Sequence, residues 1–111
     1  MTAAKAAYIQ EGKTLNIKVE ADKGYNAVVP IGNDHIGITL ESILANASGS
    51  VATEGVWALP ATGTSAIAVG DQLYWDDTNQ CLTLASSDNA KAGIAVEAMA
   101  SGGTKAKVKI G

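Results

Sequence analysis

The chain of 111 residues has no phenylalanine, a single cysteine, a single histidine and two prolines. Without Phe, the bulky apolar payload falls on Trp57, Tyr74 and Trp75, rings of a size that usually dominates the energetics of a core or an interface. One cysteine cannot close an intrachain disulfide, and with one histidine it cannot supply a Cys/His zinc site, so no structural metal and no cofactor is expected. A basic excess is also missing. The net charge of -3 and the pI near 4.9 argue against a partner held by phosphate neutralisation, hence against nucleic acid. Nowhere do about eighteen apolar residues run together, and the opening MTAAKAAYIQ lacks an apolar run behind a basic region. Neither a membrane span nor a secretion signal is expected.

What the chain has in quantity is alanine and short β-like runs. The 47% hydrophobic content includes twenty alanines, so the core drawn from Ile, Leu, Val and a few rings is modest. A domain of this kind gains from self-association, which is expected on that ground alone. The spacing predicts one β domain over residues 8–111, preceded by a flexible arm over residues 1–7 that reads either as a tail whose small side chains would not offset its ordering or as an Ala-rich arm lying in a groove of a neighbouring subunit.

Strand signals recur between turn formers. Leu15 to Glu20 alternates apolar and polar, Ala27 to Ile31 is a short apolar run whose Pro30 marks an edge or an end, and His35 to Glu41 places Ile36, Ile38 and Leu40 on one face. Val56, Trp57 and Leu59 follow Gly55 and stop at Pro60. Leu73-Tyr74-Trp75 lies between Gly70-Asp71 and Asp76 to Asn79, which lead into Cys81 to Leu84 as the second arm of a hairpin. Gly93 to Ala98 reads as a strand, and Lys105 to Ile110 alternates strictly, with Lys105, Lys107 and Lys109 opposite Ala106, Val108 and Ile110. Ala45 to Ser50 reads as a loop by composition, and Leu40 to Leu44 and Thr64 to Ala68 could each form a helical turn. The fold class is therefore all-β: a small barrel or sandwich of short antiparallel strands with at most one or two helical turns. Gly37-Ile38-Thr39-Leu40-Glu41 is echoed by Gly93-Ile94-Ala95-Val96-Glu97, and the runs after them, Gly49 to Ala52 and Gly103 to Ala106, extend the likeness.

The motifs that could carry chemistry dissolve on inspection. Ala7 to Thr14 comes within one residue of a phosphate-binding loop, but Ala7 replaces the first glycine, Glu11 would face the anion, and a strand pattern follows where a helix must open. The simpler reading is a turn at Gly12-Lys13 between two strand segments. Asp76, Asp77 and Asn79 lack the alternate spacing of a calcium loop and suit a hairpin turn. His35 beside Asp34 has no nucleophile placed to join it, and Cys81 has no neighbouring base or cation to activate it. The three lysines read as a solvated strand face or as an anion-binding stripe.

An ordered set of motifs resembles a known family. Tyr8-Ile9-Gln10-Glu11-Gly12, then Val51 to Trp57 with Leu59-Pro60, then Gly70 to Asp76, then Gly93 to Val96 with Ala98, and the terminal alternating strand resemble the small capsid decoration, or cement, proteins of tailed bacteriophages. That group long had no assigned function and was sometimes labelled recombinase-like, a label to which the failed phosphate loop lends nothing. The resemblance implies a β subunit that forms homotrimers on the outer surface of the virion capsid, binds the major capsid protein and stabilises the head without catalysis. Within such an oligomer the large rings Trp57, Tyr74 and Trp75 are the expected contact residues, facing either a neighbouring subunit or the capsid. The competing reading is a small β-barrel module that binds peptide or single-stranded nucleic acid through exposed rings and Lys105, Lys107 and Lys109.

Overall fold

In a computed structural model of the chain, residues 6–10 and 12–111 are described. Five of the seven residues expected to form the arm thus lie outside the described residues. The others, Ala6 and Ala7, are exposed and belong to no strand, as are Tyr8 to Gln10, so the turn at Gly12-Lys13 does not join two strands.

Among the described residues nine strands follow in order: β1 (Thr14–Lys18), β2 (Val28–Ile31), β3 (His35–Thr39), β4 (Ser48–Ala52), β5 (Gly55–Pro60), β6 (Gln72–Asp76), β7 (Cys81–Thr83), β8 (Ala90–Ala95) and β9 (Lys105–Ile110). They make two antiparallel sheets, one ordered β1-β4-β3-β2 and the other β5-β9-β8-β6-β7. The all-β expectation holds, and of its two forms the sandwich is the one observed. The described residues contain no helix, so none could cross a membrane as a helix.

The main core lies between the sheets. Val28, Ile36 and Ile38 of the first sheet meet Leu59, Leu73, Trp75, Leu82, Val108 and Ile110 of the second, each side chain contributing about 1.5 to 3 kcal/mol on full burial. A smaller cluster, Val19, Val29, Ile43 and Val51, uses the alternate residues of the first sheet and therefore its other face. The first sheet is thus covered on both sides, which is why Gly37 and Thr39 are buried along with Ile36 and Ile38.

Several elements differ from the sequence expectations for physical reasons. Ser48, Gly49 and Ser50 belong to β4 and not to a loop: their small side chains give no apolar pattern, yet a methyl on Gly49 would approach within 2.5 Å of Ile43 Cγ1. β8 runs from Ala90 to Ala95, ahead of the expected Gly93 to Ala98, because its first buried residues, Ala90 and Ala92, are small and flank the exposed Lys91. Leu40 lies past the end of β3 and is partly exposed. The two supposed helical turns are not helical: they bend at Leu40-Glu41 and Thr64-Ser65 and are tied by single antiparallel bridges, Lys23 to Ile43 and Ile67 to Met99.

Those bridges belong to a repeat. In the first half, Asn26 N–H donates to Thr39 O at 2.9 Å and Thr39 N–H to Ala27 O at 2.9 Å. In the second, Gly70 N–H donates to Ala95 O at 2.8 Å and Ala95 N–H to Asp71 O at 2.9 Å. Asn26 and Gly70 both have positive φ, as do Asn46 and Gly102 at the next equivalent turn. The strands β1, β4, β3 and β2 correspond in order to β5, β9, β8 and β6, and β7 is an addition in the second half. The echo of Gly37 to Glu41 in Gly93 to Glu97 marks equivalent positions, since Val29 pairs with Gly37 as Leu73 pairs with Gly93. The second part of the echo is out of register: Thr39 pairs with Val51 and Ala95 with Val108, so Val51 matches Val108 and Gly49 does not match Gly103.

Candidate interaction surface

The outward face of the five-stranded sheet is built by alternation. On β5, Trp57 and Leu59 turn inward, which sends Val56 and Ala58 out. On β6, Leu73 and Trp75 turn inward, which sends Gln72 and Tyr74 out. Cross-strand pairing then sets Val56, Lys109, Ile94 and Gln72 in one row, with Tyr74 between Lys91 and Thr83 in the next. Val56 is 58% exposed and Ile94 44%, so the row places two apolar side chains on either side of a lysine.

The three terminal-strand lysines are solvent-facing, as one reading had it. Lys107 is paired, its Nζ 2.9 Å from Glu97 Oε2, and that hydrogen bond holds its pKa above the ordinary lysine value. Lys109 Nζ donates to Gly111 O at 3.2 Å. One member of the supposed anion stripe is therefore already matched by a carboxylate.

The three ring candidates do not share an environment. Trp75 is 3% exposed in the main core, and its indole N–H donates to Asp77 Oδ1 at 3.0 Å. Trp57 is half-buried against the same core, with its indole N–H donating to Glu54 O at 3.2 Å. Tyr74 is half-buried on the outer face. Neighbouring in sequence, Tyr74 and Trp75 thus point to opposite sides of one sheet.

Other exposed apolar residues escaped the sequence reading. Tyr25 and Leu44 flank the Lys23–Ile43 bridge, and Val69 occupies the place of Tyr25 in the second half. Tyr8 and Ile9 are 81% and 83% exposed. Alternation from Trp57 and Leu59 could have identified Val56, but a loop residue such as Leu44 carries no periodic signal.

The groups tested for chemistry do not converge. Among the described residues, no three His, Cys, Asp or Glu side chains cluster as metal ligands. Asp76 caps its own turn, accepting from Thr78 N and Asn79 N at 3.0 Å each and from Asn79 Nδ2 at 2.8 Å. The Asn79 bonds hold its carboxyl below the usual range. Cys81 is half-buried, and burial first, then the Asp76 charge, push its thiol upward. His35 is exposed at the start of β3.

A sequence model of the phage cement protein family matches residues 9–110. The chain belongs to the phage cement protein family. No curated protein and no solved structure shows significant similarity to it. A phage cement protein is a structural component of the virion that associates with the capsid, and the resemblance read from the motifs is thereby upheld. The match spans both halves of the repeat, so the family's pattern is the whole sandwich and not one hairpin of it.

Proposed function

We propose that this cement protein binds the outside of an assembled phage head as a homotrimer and stabilises the head by clamping neighbouring major capsid protein subunits. The observation that carries the reading is family membership over residues 9–110. Physical support comes from the surface, where apolar side chains stand among charged ones, as at Val56, Lys109 and Ile94. A ligand that binds only the assembled lattice stabilises it by mass action, about 2.7 kcal/mol per site at a hundred times its Kd. Several weak contacts from one oligomer add avidity.

In this reading the protein acts without catalysis, and its partners are protein, with neither nucleic acid nor membrane among them. Tyr74 presents its ring directly at a contact, Trp57 does so through its exposed edge, and Trp75 supports the surface from beneath. Purified protein mixed with mature heads that lack it should co-sediment with them, and Tyr74→Ala or Trp57→Ala should weaken that binding while the fold is kept. Heads that pellet without the wild-type protein would refute the proposal.

A further inference from the structure

Four strands stand at sheet edges, and an open edge invites another strand to pair with it. Three of the four are blunted. In β2, Ala27 O faces β3 by accepting from Thr39 N, so alternation turns the backbone of Pro30 outward, where it has no N–H to offer. In β5, Ala61 N–H faces β9 by donating to Thr104 O at 3.0 Å, so Pro60 likewise turns outward. Both prolines of the chain thus stand where they discourage strand addition. The short β7 is bridged at Leu82 to Ala61.

β1 has no such protection. Lys13 O faces β4, accepting from Thr53 N at 2.9 Å, and Val19 N–H faces the same way, donating to Ala47 O at 3.0 Å. Thr14, Asn16 and Lys18 therefore direct their backbone N–H and C=O groups away from the sheet. The side chains of this strand are also under-covered. Leu15 is 37% exposed and Ile17 only partly buried, and Leu15 rims a groove of 260 Å³ lined further by Ile31, Ile36 and Ala92.

The same chain carries a segment without cover. Ala6 to Gln10 pairs with no strand, touches its own β1 edge through the long contact of Gln10 Nε2 with Thr14 O at 3.4 Å, and holds Tyr8 and Ile9 in solvent. Thr53 fixes where this segment departs, because its N–H and hydroxyl hold the carbonyls of Lys13 and Gly12. An open edge beside an apolar groove and an unpaired segment carrying Tyr8 and Ile9 are complementary.

We infer that the segment around Tyr8 and Ile9 of one copy adds as a strand to the β1 edge of a neighbouring copy, beside Leu15. The contact is head-to-tail, the type that closes into rings when the rotation permits. The inference rests on the reading of the protein as an oligomer and supplies the surface through which its copies join.

Two single-cysteine variants made in a Cys81→Ala background test it: Ala7→Cys on the segment and Asn16→Cys on the edge. They are mixed in concentrated solution and on heads, then treated with a short bismaleimide. A covalent dimer containing one of each variant is expected in at least one setting, and adding Asn16→Pro to the Ala7→Cys copies should leave it intact. Placing Lys18→Pro in the Asn16→Cys copies should reduce it severalfold, by removing an edge N–H. The inference is overturned if no mixed dimer forms in either setting, if a double variant links only within its own chain, or if Ala7→Cys links only to the capsid protein. Co-sedimentation of the uncrosslinked protein is scored separately, so heads that bind without mixed dimers would reject the segment exchange and leave the head-binding reading standing.

Discussion

Thr39 is the polar residue that this fold closes off from water among the described residues. Its hydroxyl donates to Gly24 O at 2.6 Å and accepts from Ala27 N at 2.8 Å, so it is paid for at both ends. Thr39→Val keeps the shape but strands the Ala27 amide and the Gly24 carbonyl, and should cost about 1 to 3 kcal/mol in urea denaturation. Ala95, the equivalent residue in the second half, is also fully buried and lacks a hydroxyl; there Asp71 N–H donates directly to Ala68 O at 3.1 Å, so Ala95→Thr offers no reciprocal gain. Asp76 makes a pH-dependent contribution. Its folded pKa is depressed, mainly by the Asn79 side chain, so its stabilisation is present above the unfolded carboxylate range and is lost as pH falls through the folded value. The denaturation midpoints of wild type and Asp76→Ala should therefore differ at neutral pH and converge in acid. A difference that persisted undiminished in strong acid would deny the turn its charged cap.

At the scale of elements, the two glycines of the echo have a shared cause and unequal severity. A methyl added at Gly93 would come within 2.0 Å of Lys109 O, on the strand alongside. A methyl at Gly37 would lie 3.3 Å from Ala52 O, the equivalent atom, and 3.1 Å from Val51 Cγ2. Gly93→Ala should destabilise by about 3 kcal/mol or more, combining overpacking with backbone strain, whereas Gly37→Ala should cost about 1 kcal/mol. Equal losses in calorimetry would contradict this difference in severity.

How legible an element was in the sequence depended on how strongly burial wrote itself into side-chain type. β9 was readable because one face is all lysine and the other all apolar, and the β6–β7 hairpin because Asp76 and Asn79 have a turn chemistry of their own. β4 was not, because its first three residues, Ser48, Gly49 and Ser50, are small and so look like a loop. The bridges at Lys23–Ile43 and Ile67–Met99 left no period to read, and the double burial of β3 hid which face met the main core. The ring residues were found by size, but size alone could not say that Trp75 points inward and Tyr74 outward. That distinction comes from the register of β6 against its neighbours.

For the whole molecule, two similar four-strand units share a core, and the second adds β7 where the first ends in the proline-blunted β2. The repeat gives the subunit two equivalent turns with exposed apolar side chains, Tyr25 and Leu44 in the first half and Val69 in the second, and the five-stranded sheet adds an outer face of mixed apolar and charged side chains. In the function proposed for it, such a body holds a lattice together by touching it at several places at once, each contact modest and the sum large. The most direct test of that claim is the temperature at which heads fall apart, measured with and without saturating protein. Occupied heads should survive to a higher temperature, with the gain growing with protein concentration until the sites fill. Heads that bind the protein to saturation yet come apart at the same temperature as bare ones would contradict the account.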